Sequence, residues 1–448
     1  MTEQERSIPA VMDLSLRIGE LLLDNGAGAA DVTATMQAIA FHYGLRSANI
    51  DVTFTTLSIG YHASPDDVPL TQIRTVKARE IDYEDLTRID HLVRDILADR
   101  IDVEEARTQI AQLVSSGHAR RRFAVTLGWG GMCAGIALML GGEWIICSLA
   151  FVAAVIIDRV QAAMQRRRLP NFYLQVGGGA IATLLAVGAA AAKWDVDPSL
   201  VVAANIIMLL SGLGFMGGLQ DALTGFYITA GARMTEVLLS TAGIIAGVAG
   251  GLGVGGLFGV EVGRLDPGAF GFESWPVLAV GGAIAAASFA FASYAPKRTL
   301  LPIAAIAAIA VLLNNLVQMV GFDRPWAVAT ASFFVGLVAY AAAGAVRVPP
   351  LVVVVSGVVP MLPGLSIYRG LSLLSEEGNH SSAGLLAIMT AGSIALAIAA
   401  GVILGEYVAQ PLKREARKLE TRLSGPRLVG PLKLRSGRSR RRKAEAEE

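Results

Sequence analysis

Leu210-Ser211-Gly212-Leu213-Gly214-Phe215-Met216-Gly217-Gly218-Leu219 and Leu362-Pro363-Gly364-Leu365-Ser366-Ile367-Tyr368-Arg369-Gly370-Leu371 share the pattern L-x-G-L-x-x-x-x-G-L, 152 residues apart. Each interrupts an apolar stretch long enough to cross a membrane. Glycine, proline and serine in mid-span weaken a helix and free backbone groups that must find other partners. A matched pair of such breaks, one in each half of a membrane protein, points to the binding site of a secondary transporter.

Composition agrees with a membrane protein. Of 448 residues, 53% are hydrophobic and only 17% charged, with a mean hydropathy of +0.54; a soluble domain carries about 25% charge. The net charge of +1 gives no reason to expect a nucleic-acid partner. Cys133 and Cys147 both fall in apolar spans, so no disulfide framework or zinc spacing exists. No metal ligand set, catalytic constellation or cofactor motif is present. The segment from Met1 to Ala30 lacks a basic-then-apolar signal pattern, so the N-terminus is expected to stay in the cytoplasm.

Outward from the breaks, ten apolar spans can be read: 123–140, 142–157, 174–192, 200–219, 237–258, 276–292, 300–320, 326–346, 351–374 and 383–405. Most approach the ~20 residues that a crossing helix needs; the second is short. With the N-terminus inside, the cytoplasmic loops hold Arg120, Arg121, Arg122, Arg159, Arg166, Arg167, Arg168, Arg233, Lys297, Arg298 and Arg347. The outer loops hold only Lys193, Arg264 and Arg324. That asymmetry fixes the orientation and puts both termini on the cytoplasmic side of the plasma or inner membrane. Five spans per half make the second half enter from the opposite side, so the expected fold is a 5+5 inverted repeat. The expected divisions are a first repeat over 120–258 and a second over 259–410.

Residues 1–119 read as a separate cytoplasmic α+β domain. Val11, Leu14, Ile18 and Leu22 recur at helical spacing, and Asn25-Gly26-Ala27-Gly28 ends that helix. Residues 50–61 alternate as a strand whose face switches between Thr55 and Thr56, which requires a turn or a bulge. A third strand (71–77) and two helices follow. The tail, 411–448, is basic and reads as disordered; it is solvated or touches anionic membrane lipid.

Candidate site residues fall into three groups. Ser211, Gly212, Gly214, Pro363, Gly364 and Ser366 lie in the breaks, where exposed amides and carbonyls can bind a charged substrate; Tyr368 and Arg369 add a hydrogen-bond donor and a clamp for a carboxylate. Asn205, Asn314 and Gln318, with Asn315 beside them, are amides inside spans that either bind substrate or glue helices together. Asp221, Arg233 and Glu236 flank the cytoplasmic end of the fourth and fifth spans as a gate or a proton-linked pair, with Asp221 the first candidate proton carrier. Asp158 and Glu406 read as interfacial.

The chain resembles the threonine/serine exporters over roughly residues 12–410. The residues that carry the likeness are Leu22-Leu23-Asp24-Asn25-Gly26-Ala27-Gly28 with Asp51-Val52-Thr53-Phe54-Thr55; Asp221-Ala222-Leu223-Thr224-Gly225 with Gly231-Ala232-Arg233; and Val359-Pro360-Met361-Leu362-Pro363-Gly364-Leu365-Ser366-Ile367-Tyr368-Arg369-Gly370. The resemblance implies export of a small hydroxy amino acid driven by the proton motive force, with protons as coupling ion. Split-chain relatives are linked to dicarboxylates, which keeps a succinate-like substrate as the alternative. A membrane-anchored enzyme using the N-terminal domain is a further one. Self-association into a homo-oligomer is compatible with this reading.

Overall fold

The computed structural model describes residues 3–62, 68–76, 80–118, 120–192, 197, 199–210, 212–259, 274–375 and 381–420. The N-terminal part contains α1 (Glu3–Asp24), α2 (Ala29–His42), β1 (Asn49–Val52), β2 (Thr56–Tyr61), β3 (Leu70–Thr75), α3 (Tyr83–Leu97) and α4 (Val103–Ser115). The strands form an antiparallel sheet in the order β1-β2-β3. Its β1–β2 register opposes Ile50 to Ile59 and Val52 to Leu57. The expected break in the alternation is a tight turn, in which the Thr53 and Thr56 backbones bond at 2.8 Å.

Local chemistry sets the helix ends here. Gly26 takes a left-handed φ of +93°, and the Ala27 N–H donates back to Leu22 O at 2.9 Å. That glycine cap stops α1 and starts the loop 25–28. Asp82 caps α3 by accepting from the N–H groups of Glu84 (2.9 Å) and Asp85 (3.0 Å).

The remaining helices are α5 (Arg122–Met139), α6 (Trp144–Arg166), α7 (Asn171–Ala191), α8 (Ser199–Leu209), α9 (Gly212–Leu223), α10 (Tyr227–Leu257), α11 (Trp275–Ala292), α12 (Lys297–Met319), α13 (Arg324–Val346), α14 (Pro350–Val358), α15 (Gly364–Ser375) and α16 (Ser381–Glu420). Eight helices among the described residues are long and apolar enough to cross a membrane. The short second span is a 23-residue helix, α6, because its polar end (158–166) continues the helix beyond the apolar run.

The two motif stretches break where the sequence placed the breaks. The axes of Ser199–Leu209 and Gly214–Leu223 differ by 48°. In the second half α14 tightens into a 3-10 turn, Val359–Met361, before α15 begins. Gly212 and Gly364 both open a helix, and those helices end at Leu223 and Ser375, which preserves the spacing of the two motifs.

Glycines hold the helix pairs together. A Cβ at Gly243 would sit 2.5 Å from Phe172 O, one at Gly179 would sit 2.8 Å from Ile244 O, and one at Gly247 would collide with Val176 O, so α7 and α10 touch backbone to backbone. The pair α13–α16 is built the same way: Gly401 faces Ala329 O, Gly405 faces Phe333 O and Gly336 faces Val402 O. Gly243 thus matches Gly401, Gly247 matches Gly405 and Gly179 matches Gly336. This offset is slightly larger than that between the two breaks, so the spacing drifts between elements. Such close approach gains van der Waals contact where lipid offers no hydrophobic drive.

The N-terminal part packs against helix ends that carry basic residues. The Tyr83 N–H donates to Ser293 O at 2.9 Å, and the Tyr83 ring meets Phe289 edge-on. His118 stacks on Tyr294 at 4.2 Å. Arg120 donates to Ala295 O (2.9 Å) and to Phe291 O. Arg347, left-handed at φ 51°, turns its carbonyl toward His91 Nε2 (3.0 Å) and Arg298 (3.1 Å).

Candidate functional site: a cavity between the broken helices and the N-terminal loop

A cavity of about 840 Å³ is walled by the loop residues Asn25, Gly26 and Gly28, by side chains of α5, α6, α7, α9 and α10, and by Leu209, Leu210 and Leu362 at the two breaks. It therefore links the breaks to the N-terminal loop. A volume of this size exceeds what a small ligand needs and falls in the range of ligand clefts.

The junction with the loop is made by charge. The Asp221 carboxylate is 1% exposed, and Oδ1 accepts from the Ala29 N–H at 2.9 Å. Ala29 is the first residue of α2, where unpaired amides and the helix dipole favour an anion. Arg233 Nε lies 3.2 Å from Asp221 Oδ2, and its Nη2 donates to Ala27 O at 3.2 Å. Thr229 donates to Val52 O nearby, at 3.3 Å. Gly217 leaves room for this guanidinium: a Cβ there would sit 2.5 Å from Arg233 Nη1. Burying such a pair costs several kcal/mol of desolvation per ion; the 3.2 Å ion contact and the backbone bonds to Ala27 and Ala29 act against that cost.

A second charged group lines the wall. Asp158, 5% exposed, accepts from Arg122 (2.7 Å), Thr126 (2.7 Å) and Arg159 (2.9 Å). Arg122 and Thr126, four residues apart on α5, face it from the neighbouring helix. A third group is neutral. Gln161, Gln165, Asn171 and Gln175 line the same cavity. Asn171 donates to Ser240 Oγ at 3.0 Å, and Gln161 donates to Leu174 O at 3.0 Å.

The sequence candidates divide. Gly214, Arg233 and Glu236 line the cavity, and Asp221 reaches its edge through Arg233. Pro363, Gly364 and Ser366 are buried, and Gly364 packs on Ile207 and Ala203 of α8, so this break is a close helix contact. Asn205 is wholly buried and donates to Val201 O (2.9 Å) and Ala150 O (3.4 Å), joining α8 to α6. Asn314 and Gln318 lie in α12 away from the cavity, where Gln318 donates to Asn314 O at 3.3 Å; Asn315 sits beside Met319, 3.6 Å away. Arg369 is exposed on α15. Ser211, the side chain of Tyr368 and the basic tail from 421 onward fall outside the described residues. Glu406, read as interfacial, is 6% exposed and lines a small separate cavity with Asp31 and Tyr340.

The sequence reading missed Gln161, Gln165, Asn171 and Gln175. The signal was available: amides four residues apart on two consecutive helix ends, i and i+4 on each, mark one face of each helix.

A multi-pass helical bundle with paired helix breaks and a polar cavity between them is the architecture of a membrane transporter. Two family models match the chain, both described as threonine/serine exporter, one over residues 13–255 and the other over 278–408. A probable threonine/serine exporter of Mycobacterium tuberculosis is 35% identical over 93% of this chain and 80% of its own length. A threonine/serine exporter of Corynebacterium glutamicum is 32% identical over 92% of this chain and 84% of its own. A probable succinate transporter subunit of Escherichia coli is 24% identical over 58% of this chain and 98% of its own. No solved structure matches the chain significantly. The chain belongs to the threonine/serine exporter family of membrane transporters.

Proposed function

We propose that the protein exports threonine, serine or a similar small hydroxy amino acid across the inner membrane, driven by the proton motive force. The observation that carries this reading is the cavity, which joins both helix breaks and is lined by groups of both signs: Arg122, Arg166 and Arg233 against Asp158 and Glu236. A zwitterion matches such a lining better than a dianion does, which favours the amino acid over succinate. The bundle is read as a 5+5 inverted repeat, supported by the paired breaks and by the like construction of α7–α10 and α13–α16. The N-terminal part, 1–119, is read as a cytoplasmic domain. It meets the helix ends near Arg120, Arg233, Arg298 and Arg347, the residues whose positive charge marks the inner side.

In this reading Asp221 and Arg233 are a gate more than a proton carrier. Their contacts run to the backbone of Ala27 and Ala29, so the ion pair holds the N-terminal loop over the cavity. A substrate carboxylate that draws Arg233 away from Asp221 loosens that hold, and the two halves then expose the cavity alternately.

Purified protein in liposomes loaded with labelled threonine, with succinate as a parallel load, tests the reading. Under an imposed proton gradient threonine is expected to leave and succinate to stay. Movement of succinate alone would overturn the substrate, and threonine loss that ignores the gradient would overturn the coupling.

A further inference from the structure

Gln175 is a cavity residue whose hydrogen bonding is incomplete. Its side chain is 9% exposed and lines the cavity. Its Nε2 reaches Asn171 Oδ1 only at 3.5 Å, and its Oε1 has no hydrogen-bond partner among the described residues. Asn171 is turned the other way, toward Ser240 Oγ at 3.0 Å. Leaving a buried amide oxygen without a donor costs about 1–3 kcal/mol, and such sites in native proteins call for an explanation.

The backbone around Gln175 is fixed. Gly243 of α10 lies against Gln175 Cβ and Phe172 O, so the start of α7 cannot turn to satisfy the side chain. The residue is thus held on the wall of a cavity that a ligand can enter, with a buried acceptor that no group among the described residues satisfies. Its amide neighbours on α6 and α7, Gln161, Gln165 and Asn171, are uncharged. An ammonium group is better served by the carboxylates of Asp158 or Glu236, which also line the cavity, whereas a neutral acceptor suits a neutral donor, the hydroxyl.

We propose that Gln175 is a specificity-determining residue whose Oε1 accepts the hydrogen bond of the substrate's side-chain hydroxyl. Asn171 and Ser240 hold the amide face in place. This rests on the export reading above and adds to it the atom that distinguishes a hydroxy amino acid from an apolar one of the same shape. A site built to bond a hydroxyl rejects the analogue without it, because the buried acceptor is then left bare.

The test uses the full-length protein in liposomes and compares export of threonine with valine, its isostere, and with 2-aminobutyrate, which lacks the hydroxyl. The wild type is expected to prefer threonine over both. Gln175→Met, of similar length and without an acceptor, is expected to lower the threonine-to-valine ratio by about 10- to 100-fold while valine export is kept or rises. Gln175→Glu retains an oxygen acceptor and is expected to retain the preference. A wild type that moves threonine and valine alike overturns the inference whether or not the variants fold. So does a Q175M protein that moves substrate with the wild-type ratio. Both results leave the exporter reading standing. Absence of any amino-acid movement by the folded wild type removes that reading and this inference together.

Discussion

The pairs α7–α10 and α13–α16 share one backbone design and differ in what they carry. In both, three glycines press against carbonyls of the facing helix. At the level of the cavity, α7 and α10 present Asn171, Gln175, Glu236 and Ser240. At the positions that the glycine match aligns with these, α13 and α16 carry Val328, Ser332, Ile394 and Ile398, all buried. One pair is a wall with polar groups to offer; the other is a packed core. The glycines thus specify how helices meet, and the residues one to two turns away decide whether the meeting makes a site. A site built on rigid, closely packed elements also keeps its geometry better than one built on loops.

The comparison can be broken most forcefully at its shared feature. Gly247→Val and Gly405→Val each place side-chain atoms against a carbonyl of the facing helix. Both are expected to abolish a monodisperse folded protein on size-exclusion chromatography. A folded Gly405→Val beside an unfolded Gly247→Val would show that the two pairs are not equivalent.

The next largest effect belongs to the gate. Arg233→Ala removes the counter-charge of a carboxylate that is 1% exposed, a change that costs about 3–5 kcal/mol in buried pairs. Thiol labelling of Gln161→Cys in a background without Cys133 and Cys147 is expected to quicken about tenfold or more once Arg233 is lost, since about 1.4 kcal/mol already gives a factor of 10. An unchanged rate would mean that the loop stays seated without the ion pair.

Paired serine substitutions sharpen the contrast between wall and core. Ser240→Ala deletes the acceptor of Asn171 and is expected to cost about 1 kcal/mol and to slow threonine export. Ser332 is wholly buried and finds no hydrogen-bond partner among the described residues. Ser332→Ala is therefore expected to leave transport intact and the melting temperature equal or higher.

The smallest effect concerns the N-terminal part. Burial holds the Asp82 carboxyl above its ordinary range, against the opposing pull of the Asp85 and Glu84 N–H groups and the His118 charge. The folded state thus holds this proton more tightly than the unfolded chain does. The resulting stability is present below the ordinary carboxylate range and is lost as pH rises through the raised folded value. Asp82→Asn keeps the α3 cap and is expected to flatten that slope in thermal melts; Asp82→Ala loses the cap and about 1 kcal/mol.

Much of this was legible in the chain. The helix breaks, the sheet with its turn at 53–55 and the capped end of α1 follow from local rules: glycine and proline weaken helices, alternation makes strands, and Gly terminates helices. Eight of the ten apolar spans are single helices long enough to cross among the described residues, legible for the same reason, although α6 outran its apolar run because a helix continues through polar residues once it leaves the lipid. What only the tertiary structure decided is which polar residues meet. Asp221 and Arg233, near neighbours in sequence, join the backbone of Ala27 and Ala29, far upstream in the chain. Asn205, equally apolar in its surroundings, spends its amide between helices. Gln175 faces a cavity because Gly243, distant in sequence on α10, lets that helix approach. Local sequence sets each helix's ends and faces, but a site is a meeting of faces, and that depends on how closely distant backbones can pack.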